Sequence, residues 1–440
     1  MNTLVMAGQM ILALSILISL HELGHFLAAR AFGIKVEKFF LFFDAGGVKL
    51  FSFKKGDTEY GIGWLPLGGY VKIAGMIDES MDTDQLKSDP EPWEFRSKPA
   101  WQRLIVMLAG VTVNIILGVV IFSGSLMFFG DKYILNEDAK YGIAVSDYAY
   151  DLGFRDGDKI TQLNGQEVVR FDEILNPKNI VNKAIYTVQR EDSIFDIALP
   201  DTSLRIITAK KGSGFIGLRQ PFYISTISNG SNADKAGLQE GDRILTIDNE
   251  PASFFHDFKN ILREREDEEV QVQIKRGDDT LMVPVVVDQG GVLGFTAKME
   301  EMGQLTEYYP LGKAFTIGTD RAFSSLLVNI QALGKVFSGD VDPTKSLMGP
   351  IALATVFGSN WDWQNFWGLT GLLSMVLAFM NVLPIPALDG GHALFLLIEM
   401  VIRRPLGDKF MQVTQVIGMV ILLSLMVFVF GNDIWNLIPK

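Results

Sequence analysis

Four long apolar segments constrain the fold of this chain most, because only internally hydrogen-bonded backbones can cross lipid. A helix needs about 20 residues to cross about 30 Å of hydrocarbon. The segments cover residues 4–20, 104–129, 366–383 and 413–430. The first lacks a basic leader and a cleavage site, which predicts that it is retained. A fifth apolar stretch, 393–402, is too short to span and is predicted to pack as a half-helix.

Composition excludes two broad kinds of site. The formal net charge is −12, which argues against a nucleic-acid partner, because such a protein presents a basic stripe to phosphates. The 440 residues include no cysteine, so the chain has neither disulfides nor thiolate ligands. Any bound metal must therefore be held by His, Asp or Glu.

Basic residues predict the orientation in the membrane, because they accumulate on the cytoplasmic side. One group lies around the first connection: Arg30, Lys35, Lys38, Arg96, Lys98 and Arg103. A second group lies between the third and fourth segments: Arg403, Arg404 and Lys409. Both connections are predicted to be cytoplasmic, which leaves both termini and the polar segment after Phe129 outside.

The polar segment between the second and third spans contains an internal repeat. Gly153, Gly157, Asp158 and Ile160 recur 84 residues later as Gly237, Gly241, Asp242 and Ile244. Two copies in one register indicate two similar domains. The pattern resembles PDZ domains, which bind an extended peptide or a C-terminus by adding it to a sheet edge. Two interpretations are open: the domains bind such ligands, or they are rigid spacers that limit access by their bulk.

The motif His21-Glu22-Leu23-Gly24-His25 carries the predicted chemistry. Residues i and i+4 share a helix face, so both imidazoles can bind one Zn²⁺, with Glu22 beside it as general base. Such a metal lowers the pKa of water and provides a nucleophile for peptide hydrolysis. Ionisable groups inside an apolar span are costly, which favours a functional interpretation over a solvated helix face.

A catalytic zinc site needs a third protein ligand. Asp389, in the helix-breaking segment that follows the third span, is the best candidate, although it could instead cap the half-helix. His392 ranks below it, as a neighbour of the site, and His256 is predicted to be a surface residue. The first and third spans run in the same direction, and each half of the site lies at the predicted cytoplasmic end of its span. The two halves are therefore predicted to meet at one depth, near the cytoplasmic side.

Three further segments have predicted roles. Residues 39–73 are predicted to form β-hairpins that dip towards the site, with Gly68, Gly69 and Tyr70 helping to bind substrate along a strand edge; a plain cytoplasmic hairpin is the alternative. Gly110, Asn114 and Gly118 are spaced four apart, which favours close helix packing over catalysis. Residues 312–337 predict an amphipathic helix that either lies on the outer membrane surface or braces the two repeats.

The motifs together resemble the site-2 protease family of intramembrane zinc metalloproteases, peptidase M50-like, of the bacterial RseP type with tandem PDZ domains. The resemblance rests on HELGH, on NVLPIPALDGG at 381–391, on GWLPLGGYVKIAGM at 63–76 and on LMGPIALA at 347–354. It implies one Zn²⁺ held by His21, His25 and Asp389, Glu22 as base, and Asn381 holding the substrate backbone. It also implies a bacterial inner-membrane location and single-span membrane substrates, such as anti-sigma factors or signal-peptide remnants.

The predicted architecture is a polytopic α-helical membrane protein with membrane-associated β-hairpins and two inserted PDZ-like α+β domains. The predicted function is peptide-bond hydrolysis in or near transmembrane segments, with the PDZ-like domains gating access. A membrane-anchored PDZ scaffold with a structural zinc is the alternative, and a metal transporter fits poorly because the polar groups cluster at one depth. The predicted boundaries enclose helix 1 (1–33), the hairpin region (34–99), helix 2 (100–130), the two PDZ-like domains (131–212 and 213–290), a helical linker (291–362), helix 3 with the half-helix (363–402) and helix 4 (403–440).

Overall fold

The computed structural model describes residues 2–66, 68–76, 89–174, 184–200, 203, 215–337 and 349–437. They form two compact units: unit 1 covers Met1–Gly130 and Tyr308–Lys440, and unit 2 covers Asp131–Glu307. The predicted boundary between the two repeats, at 212 and 213, lies outside the described residues. So do Leu67 of the GWLPLGGYVKIAGM motif and the first two residues of LMGPIALA.

Helices dominate unit 1, and strands dominate unit 2. The helices are α1 (Asn2–Ala31), α2 (Ala100–Phe128), α3 (Asp147–Asp151), α4 (Phe171–Ile174), α5 (Asn232–Lys235), α6 (Phe255–Arg263), α7 (Leu311–Phe337), α8 (Pro350–Val356), α9 (Trp363–Val382), α10 (Asp389–Ile402) and α11 (Asp408–Leu437). The strands are β1 (Val36–Leu41), β2 (Lys49–Lys55), β3 (Thr58–Gly63), β4 (Tyr70–Ile73), β5 (Asp131–Ile134), β6 (Ile143–Val145), β7 (Lys159–Leu163), β8 (Gln166–Glu167), β9 (Ile185–Arg190), β10 (Ser193–Ala198), β11 (Ile216–Leu218), β12 (Phe222–Ile227), β13 (Arg243–Ile247), β14 (Glu250–Pro251), β15 (Glu269–Arg276), β16 (Asp279–Val286), β17 (Phe295–Met299) and β18 (Gln304–Glu307).

Four helices of the described chain are long and apolar enough to cross a membrane, which confirms the predicted number. They are α1, α2, α9 and α11, with candidate spans Thr3–Ala31, Ala100–Phe128, Trp363–Val382 and Lys409–Asp433. The 14 residues of α10 rise only about 21 Å at 1.5 Å per residue, too little to span. The predicted half-helix therefore exists, and it begins four residues earlier, at Asp389.

Helix α2 is the centre of unit 1 and packs against α1, α7, α9 and α10. Small residues bring these helices close, as is usual between helices in lipid. A Cβ atom on Gly24 of α1 would lie 2.6 Å from the carbonyl oxygen of Ala109 on α2. One on Gly118 of α2 would lie 2.6 Å from Met375 Sδ on α9. Gly118 thus has the packing role that its spacing predicts.

Helix α7, for which the sequence left two positions open, packs along α2 and α9 within unit 1. Its contact face is a row of small residues, Ala314, Gly318 and Ala322, and both alanines are fully buried. A Cβ on Gly318 would lie 2.6 Å from the backbone nitrogen of Ser123 on α2. The helix is therefore part of the packed helical unit.

The β-rich segment after α1 is a four-stranded sheet in the order β2-β3-β1-β4. Only β2 and β3 form a simple hairpin, and β1 pairs in parallel with β3, so the segment is more than the predicted series of hairpins. Among the described strands, β4 pairs with β1 and forms one edge of this sheet. Tyr70 braces it, because its hydroxyl donates to Asp44 Oδ1 at 2.8 Å.

The two repeats of unit 2 have the same order of elements and the same pairing. Each contains a four-stranded sheet, β10-β9-β7-β8 in the first and β14-β13-β15-β16 in the second. Each also contains an antiparallel pair, β6 with β11 and β12 with β17. The 84-residue offset found in the sequence therefore corresponds to a repeated structure.

The repeated aspartates explain why the Gly-Asp pair recurs. Asp158 and Asp242 are each 1% exposed. Arg190 donates to both carboxylate oxygens of Asp158 at 2.7 and 2.8 Å, and Arg276 does the same to Asp242 at 2.8 and 2.7 Å. A forked guanidinium satisfies a buried carboxylate well, and these hydrogen bonds raise the pKa of both arginines.

Residues 291–307, placed by the sequence in a helical linker, instead complete unit 2. Strand β17 pairs with β12, and β18 pairs with β5 at the start of the unit. The short runs 295–299 and 304–307 carry too weak an alternation of apolar and polar residues to predict strands. Their conformation comes from the partners that they pair with.

Candidate metal centre

Helix α1 places His21 and His25 one turn apart on the same face, as the spacing predicts. Both are buried, with exposed fractions of 8% and 4%, inside a span that is otherwise apolar. Their Nε2 atoms lie 3.2 Å apart. Because imidazole binds a metal as the neutral base, the two nitrogens present two lone pairs to one point.

Asp389 reaches this point from the segment between α9 and α10. The chain leaves α9 at Val382, turns through Pro384 and Pro386, and enters α10 at Asp389. Gly390 and Gly391 permit this entry, because Cβ atoms there would collide with the carbonyl oxygens of Val382 and Ile385. The cap position is Leu388, and no side chain caps the helix there.

The three groups form a nearly regular triangle. Asp389 Oδ2 lies 3.1 Å from His21 Nε2 and 3.3 Å from His25 Nε2, and the third edge is the 3.2 Å between the nitrogens. Tetrahedral zinc with bonds of about 2.0–2.1 Å separates its ligand atoms by about 3.3 Å. Asp389 Oδ2 is also buried without a hydrogen-bond partner in the described structure. The donor set therefore fits Zn²⁺ with one position left open.

Helix α2 forms the wall behind the histidines. A Cβ atom on Gly110 would collide with His25 Nε2 and lie 2.6 Å from His21 Cε1. Val106 O lies 2.8 Å from His25 Nδ1, and Asn114 Nδ2 lies 3.2 Å from His21 Nδ1. The spacing analysis assigned Gly110 and Asn114 to helix packing and missed these contacts. The available signal was that their four-residue spacing matches that of the histidines.

A cavity of about 270 Å³ opens beside the triangle. Glu22, Asn381, Gly68 and Gly69 line it, as do the three candidate ligands. Asn381 Nδ2 lies 3.2 Å from His21 Nε2, which places this amide next to the triangle of candidate ligand atoms. Two strand residues of β4, Val71 and Ile73, also line the cavity, so the sheet edge borders the site.

Three other residues singled out in the sequence, Tyr70, His392 and His256, are not among the candidate metal ligands. The Tyr70 side chain contacts Asp44 and Lys38. His392 lines the cavity together with the buried Gln415 of α11, but the metal-binding group found among the described residues consists of His21, His25 and Asp389. His256 belongs to α6 of unit 2, where Asn260 contacts its Nε2 at 3.0 Å.

Comparison with known proteins identifies the family of this chain. The model of peptidase family M50 matches residues 9–425. A Neisseria meningitidis protein whose name includes the words zinc metalloprotease is 29% identical, with 97% of this chain and 98% of that protein covered. The Haemophilus influenzae regulator of sigma E protease is 29% identical with 98% of each chain covered, and the Escherichia coli regulator of sigma-E protease RseP is 28% identical with 97% of each covered. The chain therefore belongs to peptidase family M50 and is an intramembrane zinc metalloprotease of the inner membrane.

Proposed function

We propose that this protein cleaves single-span membrane proteins in or near their transmembrane segments, at the centre formed by His21, His25 and Asp389. The single observation that carries the assignment of this site is the triangle of ligand atoms with edges of 3.1, 3.2 and 3.3 Å. Two of the relatives are named regulator of sigma E protease. These names suggest that the substrates are membrane-bound regulators of transcription.

The residues around the cavity have different proposed roles in the reaction. The zinc ion, when bound, polarises the scissile carbonyl and the attacking water. Glu22 takes a proton from that water and later delivers it to the leaving amine, as a general base and acid does. The Asn381 amide donates to the substrate backbone beside the metal. The position of these side chains on the wall of one cavity supports the proposed roles.

The edge of β4 holds the substrate extended. A transmembrane helix hides its amides in internal hydrogen bonds, so cleavage requires a locally unwound segment. Strand β4 has β1 as its strand partner and forms the end of its sheet among the described strands, and an extended peptide can bind by pairing with a strand in that position. Gly68 and Gly69, which precede β4 and line the cavity, let this segment pack closely against Phe43 and Phe40 and so fix the start of the strand beside the site. Tyr70 serves this function indirectly, by bracing the strand through Asp44.

The two repeats of unit 2 act as PDZ-like domains that gate access from outside the cell membrane. The proposal that the repeats are PDZ-like is supported by their shared order of elements and by the strand pairs β6–β11 and β12–β17. The basic residues around the first and third connections support the predicted orientation, with the metal centre near the cytoplasmic side.

Replacement of Glu22 by Gln tests the function. We expect cleavage of a tagged single-span substrate that lacks its outer domain to fall by about 10²–10⁴-fold, while zinc content stays at the wild-type level. Glu59→Gln, at an exposed ion pair with Lys49, is the matched control and should cleave normally. Equal cleavage by wild type and Glu22→Gln would exclude Glu22 as the base, and the scaffold with a structural zinc would then account for the site.

A further inference from the structure

The Asn114 side chain is the only buried amide that contacts a candidate ligand from α2 in the described structure, and its placement is unusual. The residue is fully buried. Its Nδ2 atom lies 3.2 Å from His21 Nδ1, while its Oδ1 atom is buried without a hydrogen-bond partner among the described residues. A buried acceptor without a partner destabilises the folded state, because it has lost its hydrogen bonds to water and gained none in return. The two ends of the amide thus have unequal surroundings.

The chemistry of the imidazole indicates which end should contact it. A neutral ring carries a proton on one nitrogen and a lone pair on the other. His21 Nε2 lies in the ligand triangle and must offer its lone pair there, so Nδ1 carries the proton and needs an acceptor. An NH₂ group cannot accept that hydrogen bond. The two ends of an amide have nearly the same shape and are assigned from their partners, and a half-turn of the Asn114 amide places Oδ1 against His21 Nδ1.

His25 follows the same rule with a backbone acceptor. Its Nδ1 lies 2.8 Å from Val106 O, and its Nε2 lies in the triangle. Val106 and Asn114 are two helical turns apart on α2, and Gly110 lies halfway between them with no side chain to block the rings. Helix α2 therefore presents one acceptor to each histidine of α1.

We propose that Asn114 is a positioning residue: its Oδ1 accepts the hydrogen bond from His21 Nδ1–H and thereby directs the Nε2 lone pair to the zinc ion. This inference rests on the proposed metal site. Ser374 supports the position of the Asn114 backbone, because its hydroxyl donates to the backbone carbonyl oxygen of Asn114 at 2.7 Å across the α2–α9 contact. Loss of a partner that orients a metal ligand typically weakens metal binding by about 10–100-fold.

Zinc affinity of the purified full-length chain tests the inference without reference to cleavage. Asn114→Leu keeps the approximate size and removes the acceptor, and Asn114→Asp keeps two acceptors and removes the donor. In competition with a chelator, we expect Asn114→Leu to bind zinc about 10–100-fold more weakly and Asn114→Asp to stay within a few-fold of wild type. Thr112→Val, an exposed change on the same helix, is the control and should bind normally.

Cobalt substitution adds a spectroscopic readout, because the visible bands of Co²⁺ depend on ligand geometry. We expect Asn114→Leu to shift these bands and Asn114→Asp to retain them. Wild-type affinity and spectrum in Asn114→Leu would overturn the inference. If Asn114→Leu does not fold, Asn114→Asp still decides, because a tenfold loss of affinity in that folded variant would contradict an acceptor role. His21→Ala separates the two hypotheses: retention of zinc by this variant would overturn the proposed site itself.

Discussion

At the scale of single residues, the candidate metal centre depends on the absence of a side chain at Gly110. The two imidazoles of α1 occupy the space into which any side chain at position 110 would project. Helix packing alone requires a glycine only where backbones meet, whereas here the neighbours are the nitrogen and carbon atoms of candidate ligands. The close approach of α2 thus serves the geometry of the site as well as the stability of the helical unit.

Gly110→Ala should therefore reduce zinc binding. The added methyl group would collide with His25 Nε2, and overpacking of this kind costs about 1–3 kcal/mol. We expect about tenfold weaker zinc binding, measured by metal analysis after dialysis against a graded chelator series. Gly124→Ala is the matched control on the same helix, because a Cβ there would have no neighbour within 4 Å. Identical zinc retention by the two variants would contradict this explanation.

At the scale of elements, α7 illustrates how packing changes the meaning of a sequence pattern. Its apolar and polar residues alternate as in an amphipathic helix, which allows a position on a membrane surface. The row of Ala314, Gly318 and Ala322 instead faces α2, so the small residues define the contact face. Phe315, Phe323 and Leu327 stay exposed, at 54%, 44% and 55%, as expected of side chains that contact lipid.

Gly318→Ala should loosen this contact. The new Cβ would lie 2.6 Å from the Ser123 nitrogen and 2.7 Å from its Cα, and backbone atoms cannot move aside as a flexible side chain can. We expect a loss of about 1–3 kcal/mol, visible as a lower midpoint of thermal unfolding in detergent. Gly334→Ala, on the same helix with open space around it, should instead be neutral or stabilising because alanine favours helix. The same midpoint in both variants would exclude the close α7–α2 contact.

At the scale of the whole molecule, unit 2 is inserted into unit 1 through two strands that pair with each other. Strand β5 starts the unit and β18 ends it, and Asp131 is the register partner of Glu307. Paired residues in an antiparallel sheet have Cα atoms about 5 Å apart. The two points where the chain enters and leaves unit 2 are therefore adjacent. Removal of unit 2 would leave only a short gap between Gly130 and Tyr308.

Deletion of 131–307, with a linker of a few glycine and serine residues between Gly130 and Tyr308, should preserve the metal centre. All three candidate ligands and the helices that carry them belong to unit 1. We expect wild-type zinc content, retained cleavage of a trimmed single-span substrate, and new cleavage of a substrate that keeps a bulky outer domain. If the bulky substrate remains uncut by a zinc-loaded deletion variant, unit 2 does not gate access by size.

The sequence alone determined the features that depend on local pattern. Four runs of apolar residues specify four helices, because lipid leaves the backbone no other way to satisfy its hydrogen bonds. The HELGH spacing places two imidazoles on one face through the helical period. The 84-residue repeat predicted two similar domains because each copy carries its own turn glycines and its own buried aspartate, which act locally.

Only the tertiary structure decided what depends on partners distant in the chain. The sequence made Asp389 the best candidate for the third ligand, but only the structure shows that its Oδ2 atom lies 3.1 Å from His21 Nε2, although more than 360 residues separate the two in the chain. The strands at 295–299 and 304–307 form because β12 and β5 offer them edges. Asn114 was assigned to packing because spacing along one helix cannot tell which side chains it meets on another. The tertiary structure shows that Asn114 is buried next to His21. A fully buried amide forms its hydrogen bonds with the groups that surround it.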